Sequence, residues 1–201
     1  MTTMSAIRAK VQSFAEGEPF TSSDLLDLGS RASVDQALSR MVRSGTIERI
    51  TRGVFVRPRS NRYFGTVPPA PEKVAQAVAR ASNSVIEVHG AEAAREFGLT
   101  NQAPMRPTFL TSGRSRDITF AGVSLEMQHG ADKRLLLAGT PAGRAFAALM
   151  YLGKKEVTLG TIETLRGRLP PKEFDALISA ASSMPSWLSD TFYRFKKQPA
   201  A

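Results

Sequence analysis

Residues 33–57 read SVDQALSRMVRSGTIERITRGVFVR, and a helical periodicity gives way to a strand-like one along this stretch. The first half has apolar residues at spacings of three and four, which predicts an amphipathic helix over residues 33–44 that Gly45 ends. The second half has two short β-prone runs that meet at a glycine, which supplies the positive φ of a tight turn. The runs are residues 46–50 and 54–56, joined by Thr51-Arg52-Gly53. The stretch therefore predicts a helix followed directly by a β-hairpin.

Two further helical segments precede this stretch. Residues 5–15 have apolar side chains at helical spacing, and Gly17 and Pro19 stop that segment because neither residue continues a helix cheaply. A second segment begins among several possible N-caps at residues 20–24, continues through three leucines and closes at Gly29. Three helices followed by a hairpin, all within residues 1–62, predict a winged helix-turn-helix domain.

The third predicted helix has one face that points away from the core. If Val34, Leu38 and Met41 are buried, polar and basic side chains occupy the opposite face. There Gln can bond bidentately to adenine and Arg to guanine in the major groove of DNA. The predicted DNA-contacting residues are Arg31, Ser33, Gln36, Ser39, Arg40 and Arg43 on the helix, and Arg49, Arg52, Arg57 and Arg59 around the hairpin. The alternative is that these side chains only solubilise a small protein-interaction domain.

The charge of the chain favours a polyanionic partner. Its 201 residues include 27 Lys and Arg against 18 Asp and Glu, a formal net charge of +9. Between residues 40 and 62, seven arginines stand against one acid, Glu48. Arginine presents a planar fork of donors that suits phosphate oxygens and guanine edges. The sequence therefore predicts double-stranded DNA as a partner. A DNA-binding domain of this size covers only a short site, so dimerisation on DNA is possible, and the sequence leaves the oligomeric state open.

Two segments resemble one known family. Residues 28–58, LGSRASVDQALSRMVRSGTIERITRGVFVRP, are similar to the N-terminal winged helix of the AbiEi-type antitoxins of bacterial type IV toxin–antitoxin systems. Residues 88–116, VHGAEAAREFGLTNQAPMRPTFLTSGRSR, resemble the segment that follows in that family. The resemblance implies an N-terminal domain that represses its own operon. It also implies a C-terminal antitoxin domain that neutralises a cognate nucleotidyltransferase-like toxin, directly or indirectly.

The rest of the chain predicts a second domain. Four of the 12 prolines fall within residues 58–71, which places a Pro-rich connector at 63–71 between domains at 1–62 and 72–201. Predicted strands lie at residues 84–88, 107–111 and 118–127. Predicted helices lie at residues 72–81, 90–97, 140–152, 157–169, 172–182 and 185–197. The fold class is therefore α+β, an N-terminal winged helix-turn-helix followed by a mixed α/β domain that ends in helices.

The last predicted helix, PSWLSDTFYRFKK, has an aromatic face with two interpretations. Its apolar residues at i, i+3, i+4 and i+7 either dock on the core of the domain or stay partly open for a protein partner. Docking is the favoured interpretation, through Leu188, Thr191, Phe192 and Phe195.

Composition excludes several kinds of site. There is no cysteine, which rules out disulfides, thiolate nucleophiles and Cys-containing zinc sites. The chain has two histidines, His89 and His129, so neither a His-rich metal site nor a cofactor is expected. There is also no signal-peptide pattern and no apolar run of about 18 residues that would span a membrane. We expect a cytoplasmic protein without a membrane partner.

No catalytic site is predicted, and the chain is not expected to be an enzyme. The sequence does not support a catalytic triad of Ser112, His129 and Asp132, because it lacks the G-x-S-x-G spacing of a nucleophile elbow. His89 is placed to cap a helix or to join the core, and the loop at 112–116, SGRSR, is typical of a polar turn. Two alternatives stay open. One is a stand-alone winged-helix transcription regulator with a ligand-binding or dimerisation domain, and the other is an enzyme that uses this loop with His129.

Overall fold

The structure is a computed structural model that describes residues 2–62 and 65–197. Within these ranges it is an α+β protein, which confirms the predicted class at that level. The α-helices are α1 (Thr3–Ser13), α2 (Arg31–Arg43), α3 (Pro71–Ala81), α4 (Gly90–Glu96), α5 (Pro141–Glu156), α6 (Leu159–Arg168), α7 (Pro171–Ser179) and α8 (Ser186–Lys196). The strands are β1 (Pro19–Thr21), β2 (Glu48–Thr51), β3 (Val54–Val56), β4 (Arg59–Asn61), β5 (Gly65–Val67), β6 (Ile86–Val88), β7 (Thr108–Thr111), β8 (Arg116–Phe120) and β9 (Val123–His129).

The chain packs as two compact units, each assembled from two stretches of sequence. The first unit consists of Met1–Ser84 and Arg116–Glu126, and the second of Val85–Ser115 and Met127–Ala201. The hairpin of β8 and the first part of β9 is therefore grouped with the N-terminal residues, although it lies far along the chain.

The core of the first unit lies between α1, α2 and a three-stranded antiparallel sheet of order β1-β3-β2. Phe20 of β1 pairs with Phe55 of β3, and its ring also stacks on Phe14, with ring centroids 4.8 Å apart. The buried residues of this core are Ile7, Val11, Phe20, Leu25, Val34, Ala37, Leu38, Met41, Ile47 and Phe55. Strand β1 was not predicted, because three residues beginning with proline carry no alternating pattern.

Helix α2 confirms the predicted amphipathic helix, with a shifted start. Ser30 is its N-cap, and the Ser30 hydroxyl accepts a hydrogen bond from the backbone N–H of Ser33. The helix therefore begins at Arg31 instead of Ser33. The segment before it, Ser22–Leu28, is a 3-10 helix instead of the expected α-helix. A carboxylate oxygen of Asp24 accepts from the backbone N–H of Thr21 at 2.8 Å and fixes where this short helix begins.

The predicted connector, residues 63–71, is partly ordered as secondary structure. Positions 63 and 64 lie outside the described residues, whereas β5 pairs antiparallel with β4 and Pro71 begins α3. Helix α3 buries five apolar residues within the first unit, and Arg80 donates to the carbonyl oxygen of Pro19 at 3.3 Å. Packing therefore groups residues 72–84 with the N-terminal residues, whereas the sequence analysis placed them in the C-terminal domain.

The second unit is built from α4 to α8 and the strands β6 and β7, with the end of β9 beside β7. The predicted docking of the last helix is confirmed for Leu188, Thr191 and Phe192 of α8, which are buried, while the half-buried Phe195 lies edge-on to Phe174, with ring centroids 5.9 Å apart. The prediction of a single strand over residues 118–127 is wrong. This segment divides into β8 and β9 at Ala121-Gly122, where both residues have positive φ, 44° and 78°. Two such residues in succession are typical of a tight hairpin turn.

Candidate nucleic-acid interface

The exposed face of α2 carries the side chains that the sequence analysis placed there. Val34, Leu38 and Met41 are buried, so that the opposite face of the helix is directed to solvent. Gln36 and Arg40 are exposed one turn apart, and the remaining members of this face are Arg43, exposed, and Ser33 and Ser39, half-buried. The face therefore presents amide and guanidinium groups at i,i+4 spacing, where both reach the same side.

Two predicted contact residues at the start of α2 also have partners within the helix. The Ser33 hydroxyl donates to the carbonyl oxygen of Ser30 at 2.8 Å. The Arg31 guanidinium lies 3.7 Å from a carboxylate oxygen of Asp35, and both side chains are well exposed. An exposed ion pair of this kind contributes about 0–1 kcal/mol, so Arg31 can exchange Asp35 for a phosphate at little cost. Ser33 is more firmly engaged in capping.

The β2–β3 hairpin places two further arginines at the surface. Gly53 has φ +77° in the turn, which confirms the predicted role of this glycine, and Arg52 beside it is exposed. The Arg49 guanidinium lies over the ring of Phe55, 5.3 Å from its centroid. This cation–π contact does not bury Arg49, which remains exposed at the surface.

Arg57 has a different role from the one predicted. One terminal nitrogen of its guanidinium donates to the carbonyl oxygens of Gln12 and Phe14, at 2.8 and 2.6 Å, and the other donates to Glu16 at 3.3 Å. These carbonyls end α1, where the helix has no N–H groups left to satisfy them. Arg57 is therefore committed to the backbone of its own unit, and we leave it out of the proposed interface.

The remaining arginines give this part of the unit a strongly positive surface. Residues 31–62 contain eight arginines and only two acids, Asp35 and Glu48. Arg40, Arg43, Arg52 and Arg59 are exposed, and no ion pair joins any of them to a carboxylate of residues 2–62 or 65–197. Their charges are thus available to a polyanion that approaches this face.

The histidines and the 112–116 loop have local structural roles. His89 is the N-cap of α4, where its Nδ1 atom accepts from the backbone N–H of Ala91 at 3.3 Å, which confirms the capping prediction. The Nδ1 atom of His129 lies 2.9 Å from the carbonyl oxygen of Gly113. The Ser112 hydroxyl accepts from the backbone N–H of Val85 at 2.9 Å. In the described part of the chain, no hydrogen bond joins Ser112, His129 and Asp132.

One buried acid in the second unit was not predicted from the sequence. Glu87 of β6 is 4% exposed, and its carboxylate accepts from the backbone N–H groups of Val88 and Gly139. The Arg144 guanidinium lies 3.7 Å away and also pairs with Glu96. Burial raises the pKa of the Glu87 carboxyl above its ordinary value, against the opposing effect of these partners. The arrangement anchors the loop before α5 to the sheet.

Two kinds of feature are absent from the part of the chain that the structure describes. None of its helices is both long and apolar enough to cross a membrane. Across residues 2–62 and 65–197, no three His, Asp or Glu side chains are grouped so that they could hold a metal ion.

Comparison with known proteins finds one family and a distant structural likeness. Residues 6–174 match the model of DUF6088, a family of unknown function. The crystal structure of the RV2827C protein from Mycobacterium tuberculosis is similar at 15% sequence identity and a TM-score of 0.43. That match covers 98% of this chain and 77% of the other. No curated protein matches this chain.

Proposed function

The chain belongs to DUF6088, and we propose that its first unit binds double-stranded DNA as a winged helix-turn-helix. One observation carries the proposal: the solvent face of α2 presents Gln36, Arg40 and Arg43, while the opposite face forms the core. In this proposal α2 is the recognition helix and the β2–β3 hairpin is the wing.

The order of elements supports this assignment. Helix α1, strand β1, a 3-10 helix, α2 and the β2–β3 hairpin follow one another, and β1 pairs with β3 to close the sheet. This is the arrangement expected of a winged helix, in which the second and third helices form the helix-turn-helix and the third reads the groove. The hairpin then lies beside the recognition helix in sequence, where a wing belongs.

The chemistry of the face supports base and backbone contacts together. Arg40 can pair bidentately with guanine and Gln36 with adenine, and each such contact is worth about 1–3 kcal/mol of discrimination. Arg52 and Arg49 on the hairpin suit phosphates, which position a protein without reading sequence. Each neutralised phosphate steepens the salt dependence of binding by about 0.9 in the log–log slope.

We further propose that the chain is a type IV antitoxin that represses its own operon. This proposal rests on the resemblance of residues 28–58 and 88–116 to the AbiEi-type antitoxins. In it, a pair of chains binds the operator through α2. The C-terminal part of the chain counters a nucleotidyltransferase-like toxin in the cytoplasm, by direct contact or indirectly, without enzymatic activity of its own and without a cofactor.

A binding experiment tests the DNA proposal. The full chain is titrated onto a labelled duplex that contains the promoter of its own gene and onto a shuffled duplex of the same composition, at several salt concentrations. We expect Arg40→Ala to weaken promoter binding by about 5- to 150-fold, the equivalent of 1–3 kcal/mol. Binding of the shuffled duplex should change little.

Arg194→Ala is the matched control, because Arg194 is an exposed arginine on α8 in the second unit and its removal changes net charge equally. It should leave both duplexes bound as by the native chain. Equal binding of the two duplexes by the native chain, or native behaviour of the Arg40→Ala variant, would overturn the assignment of the recognition face.

A growth experiment tests the antitoxin proposal. The full chain is co-expressed with the product of the adjacent gene, and growth and co-purification are scored. We expect growth to be rescued, and the Arg40→Ala variant to rescue it equally, since repression and neutralisation use different units. Stable co-purification would indicate direct capture. A harmless neighbour, or no rescue, would overturn the antitoxin role and leave the stand-alone regulator.

A further inference from the structure

We propose that the β4–β5 hairpin and strand β2 of the first unit enclose a cleft that binds a DNA phosphodiester. The chain would then contact the DNA backbone at this cleft in addition to the proposed wing. The inference rests on the proposed DNA binding and extends it to a segment that the sequence analysis assigned to a connector.

The hairpin itself is basic and exposed. Its register pairs Arg59 with Val67 and Asn61 with Gly65, and apart from the half-buried Val67 its strand residues are all exposed. Two short strands without a buried face gain little stability from apolar burial. Residues 57–71 contain three arginines and no acid. A solvated hairpin of one charge sign is more typical of a contact surface than of a structural support.

A cleft of about 90 Å³ lies between this hairpin, strand β2 and the β8–β9 turn, all within the first unit. That volume exceeds the space for a single water several times over and admits a small anion. Its lining residues are Glu48–Ile50, Val56–Arg59, Thr66–Pro69 and Thr119–Ala121. The β8–β9 turn is distant in sequence from the other lining residues, so local sequence patterns do not predict the cleft.

Two of the arginines in the lining are available to an anion. Arg57 is held by the end of α1, but Arg49 and Arg59 are exposed at the cleft. The Arg49 guanidinium contacts the ring of Phe55, 5.3 Å from its centroid, and the side chain is still exposed to solvent. Glu48 is the only acid in the lining, against three arginines. Thr66 and Thr119 also belong to the lining; the Thr119 hydroxyl is hydrogen-bonded to the Ser124 hydroxyl at 2.9 Å, and Thr side chains are common partners of phosphate oxygens.

The position of the cleft favours DNA over a free anion as the source of the phosphate. Arg49 belongs to β2, the strand that leads to Arg52 at the turn of the proposed wing. A phosphodiester strand that contacts Arg52 in the turn therefore has a second basic site, Arg49, on the strand that leads into that turn. Since the cleft contributes backbone contacts alone, it should add affinity and salt dependence equally for every sequence.

Salt-dependent binding of the full chain tests the inference. Arg59→Ala should lower the slope of log affinity against log salt by about 1, and the Arg49→Ala/Arg59→Ala double variant by about 2, on promoter and shuffled duplexes alike. The ratio of the affinity for the promoter duplex to the affinity for the shuffled duplex should equal that of the native chain. Arg8→Ala is the control, because Arg8 is an exposed arginine of α1 in the same unit, outside the cleft. It should change neither quantity.

A second measurement separates the possible sources of phosphate. In amide NMR spectra of the full chain, duplex DNA should shift the resonances of Thr66 and Ala121, and these shifts should be lost in the double variant. Shifts with inorganic phosphate but none with duplex would mark a free-anion site and overturn the inference. Native slopes in the arginine variants would overturn it as well, while leaving promoter recognition intact. No duplex binding by the native chain would overturn both proposals.

Discussion

Arg57 and Arg52 lie five residues apart on the same basic stretch, yet the structure predicts opposite consequences of removing them. Arg57 bonds to the backbone at the end of α1, whereas Arg52 is exposed at the β2–β3 turn. We expect Arg57→Ala to destabilise the first unit without changing the salt dependence of DNA binding. We expect Arg52→Ala to do the reverse.

The magnitude follows from the contacts of Arg57. A hydrogen bond to a charged group contributes about 1.5–3 kcal/mol, and the guanidinium makes two to the carbonyls of Gln12 and Phe14. Because water can replace it at the exposed Gln12 carbonyl, we take about 2 kcal/mol for the pair. The ion pair with the half-exposed Glu16 adds little. A loss of about 2 kcal/mol multiplies the population of the open first unit about 30-fold.

Amide hydrogen exchange measured by mass spectrometry is the suitable assay. The only tryptophan, Trp187, belongs to the second unit, so its fluorescence does not report on the first. Peptides from α1 and β3 should exchange about 30-fold faster in the Arg57→Ala variant, where exchange follows opening of the unit. In Arg52→Ala they should exchange at the native rate, while the salt slope of DNA binding falls by about 0.9.

Lysine variants provide the matched controls. Arg57→Lys keeps the charge but has one nitrogen in place of the two that reach the carbonyls and Glu16, so its exchange should lie between that of the native chain and that of the Arg57→Ala variant. Arg52→Lys should keep the native salt slope, because a phosphate contact needs chiefly a charge. Native exchange in Arg57→Ala together with a lowered salt slope would refute the reasoning and return Arg57 to the DNA-contacting set.

Three further predictions concern local features of the two units. Ser30→Ala removes the N-cap of α2 and should cost about 1 kcal/mol, seen as faster amide exchange in α2 alone. Gly90→Ala places a Cβ 2.4 Å from the carbonyl oxygen of Ala147, and this overpacking should cost about 1–3 kcal/mol, seen as a lower melting temperature by Trp187 fluorescence. Burial raises the pKa of Glu87 in the folded state, so the native second unit holds its proton more tightly than the unfolded chain does. Its stability should therefore fall as pH rises from about 4.5 through the folded pKa, and Glu87→Gln should abolish this fall. If the melting temperatures of the native chain and of the Glu87→Gln variant depended on pH in the same way, the prediction would be contradicted.

The periodicity of residues 33–57 carried most of the correct local predictions. The apolar spacing identified the buried face of α2, and the glycine in Thr51-Arg52-Gly53 identified the hairpin turn, because both are properties of neighbouring residues. The first residue of α2 was placed two positions late, since Ser30 and Ser33 are both competent caps by type. Only the hydrogen bond from Ser33 to the Ser30 hydroxyl distinguishes them.

The errors arose where partners are distant in sequence. Arg57 and the Phe14 carbonyl are 43 residues apart in sequence, and Glu87 and the Gly139 N–H are 52 residues apart. A pattern of neighbouring residues therefore predicts neither hydrogen bond. Proline content suggested an unpaired connector, yet β5 forms there by pairing with β4. The alternation of residues 118–127 concealed the turn at Ala121, because a non-glycine residue with positive φ is rare.

The division of the chain affects how its two proposed activities can be separated. Because residues 116–126 pack with the N-terminal unit, removing residues 1–66 would strip the β8–β9 hairpin and α3 of their partners. Point variants of the full chain therefore separate the activities more cleanly than truncation does. The Arg40→Ala variant serves this purpose, since its exposed side chain makes no contribution to the core.

Photo-crosslinking tests the central claim most directly, namely that the exposed face of α2 lies against DNA. The photoreactive residue p-benzoylphenylalanine is placed at position 36 of one full chain and at position 193 of another, in place of the exposed Gln36 and Tyr193. Each chain is irradiated with the labelled promoter duplex. We expect a crosslink from position 36 that excess unlabelled promoter removes, and none from position 193. Crosslinking from position 193 alone, or from neither position under conditions where the duplex is bound, would contradict the account.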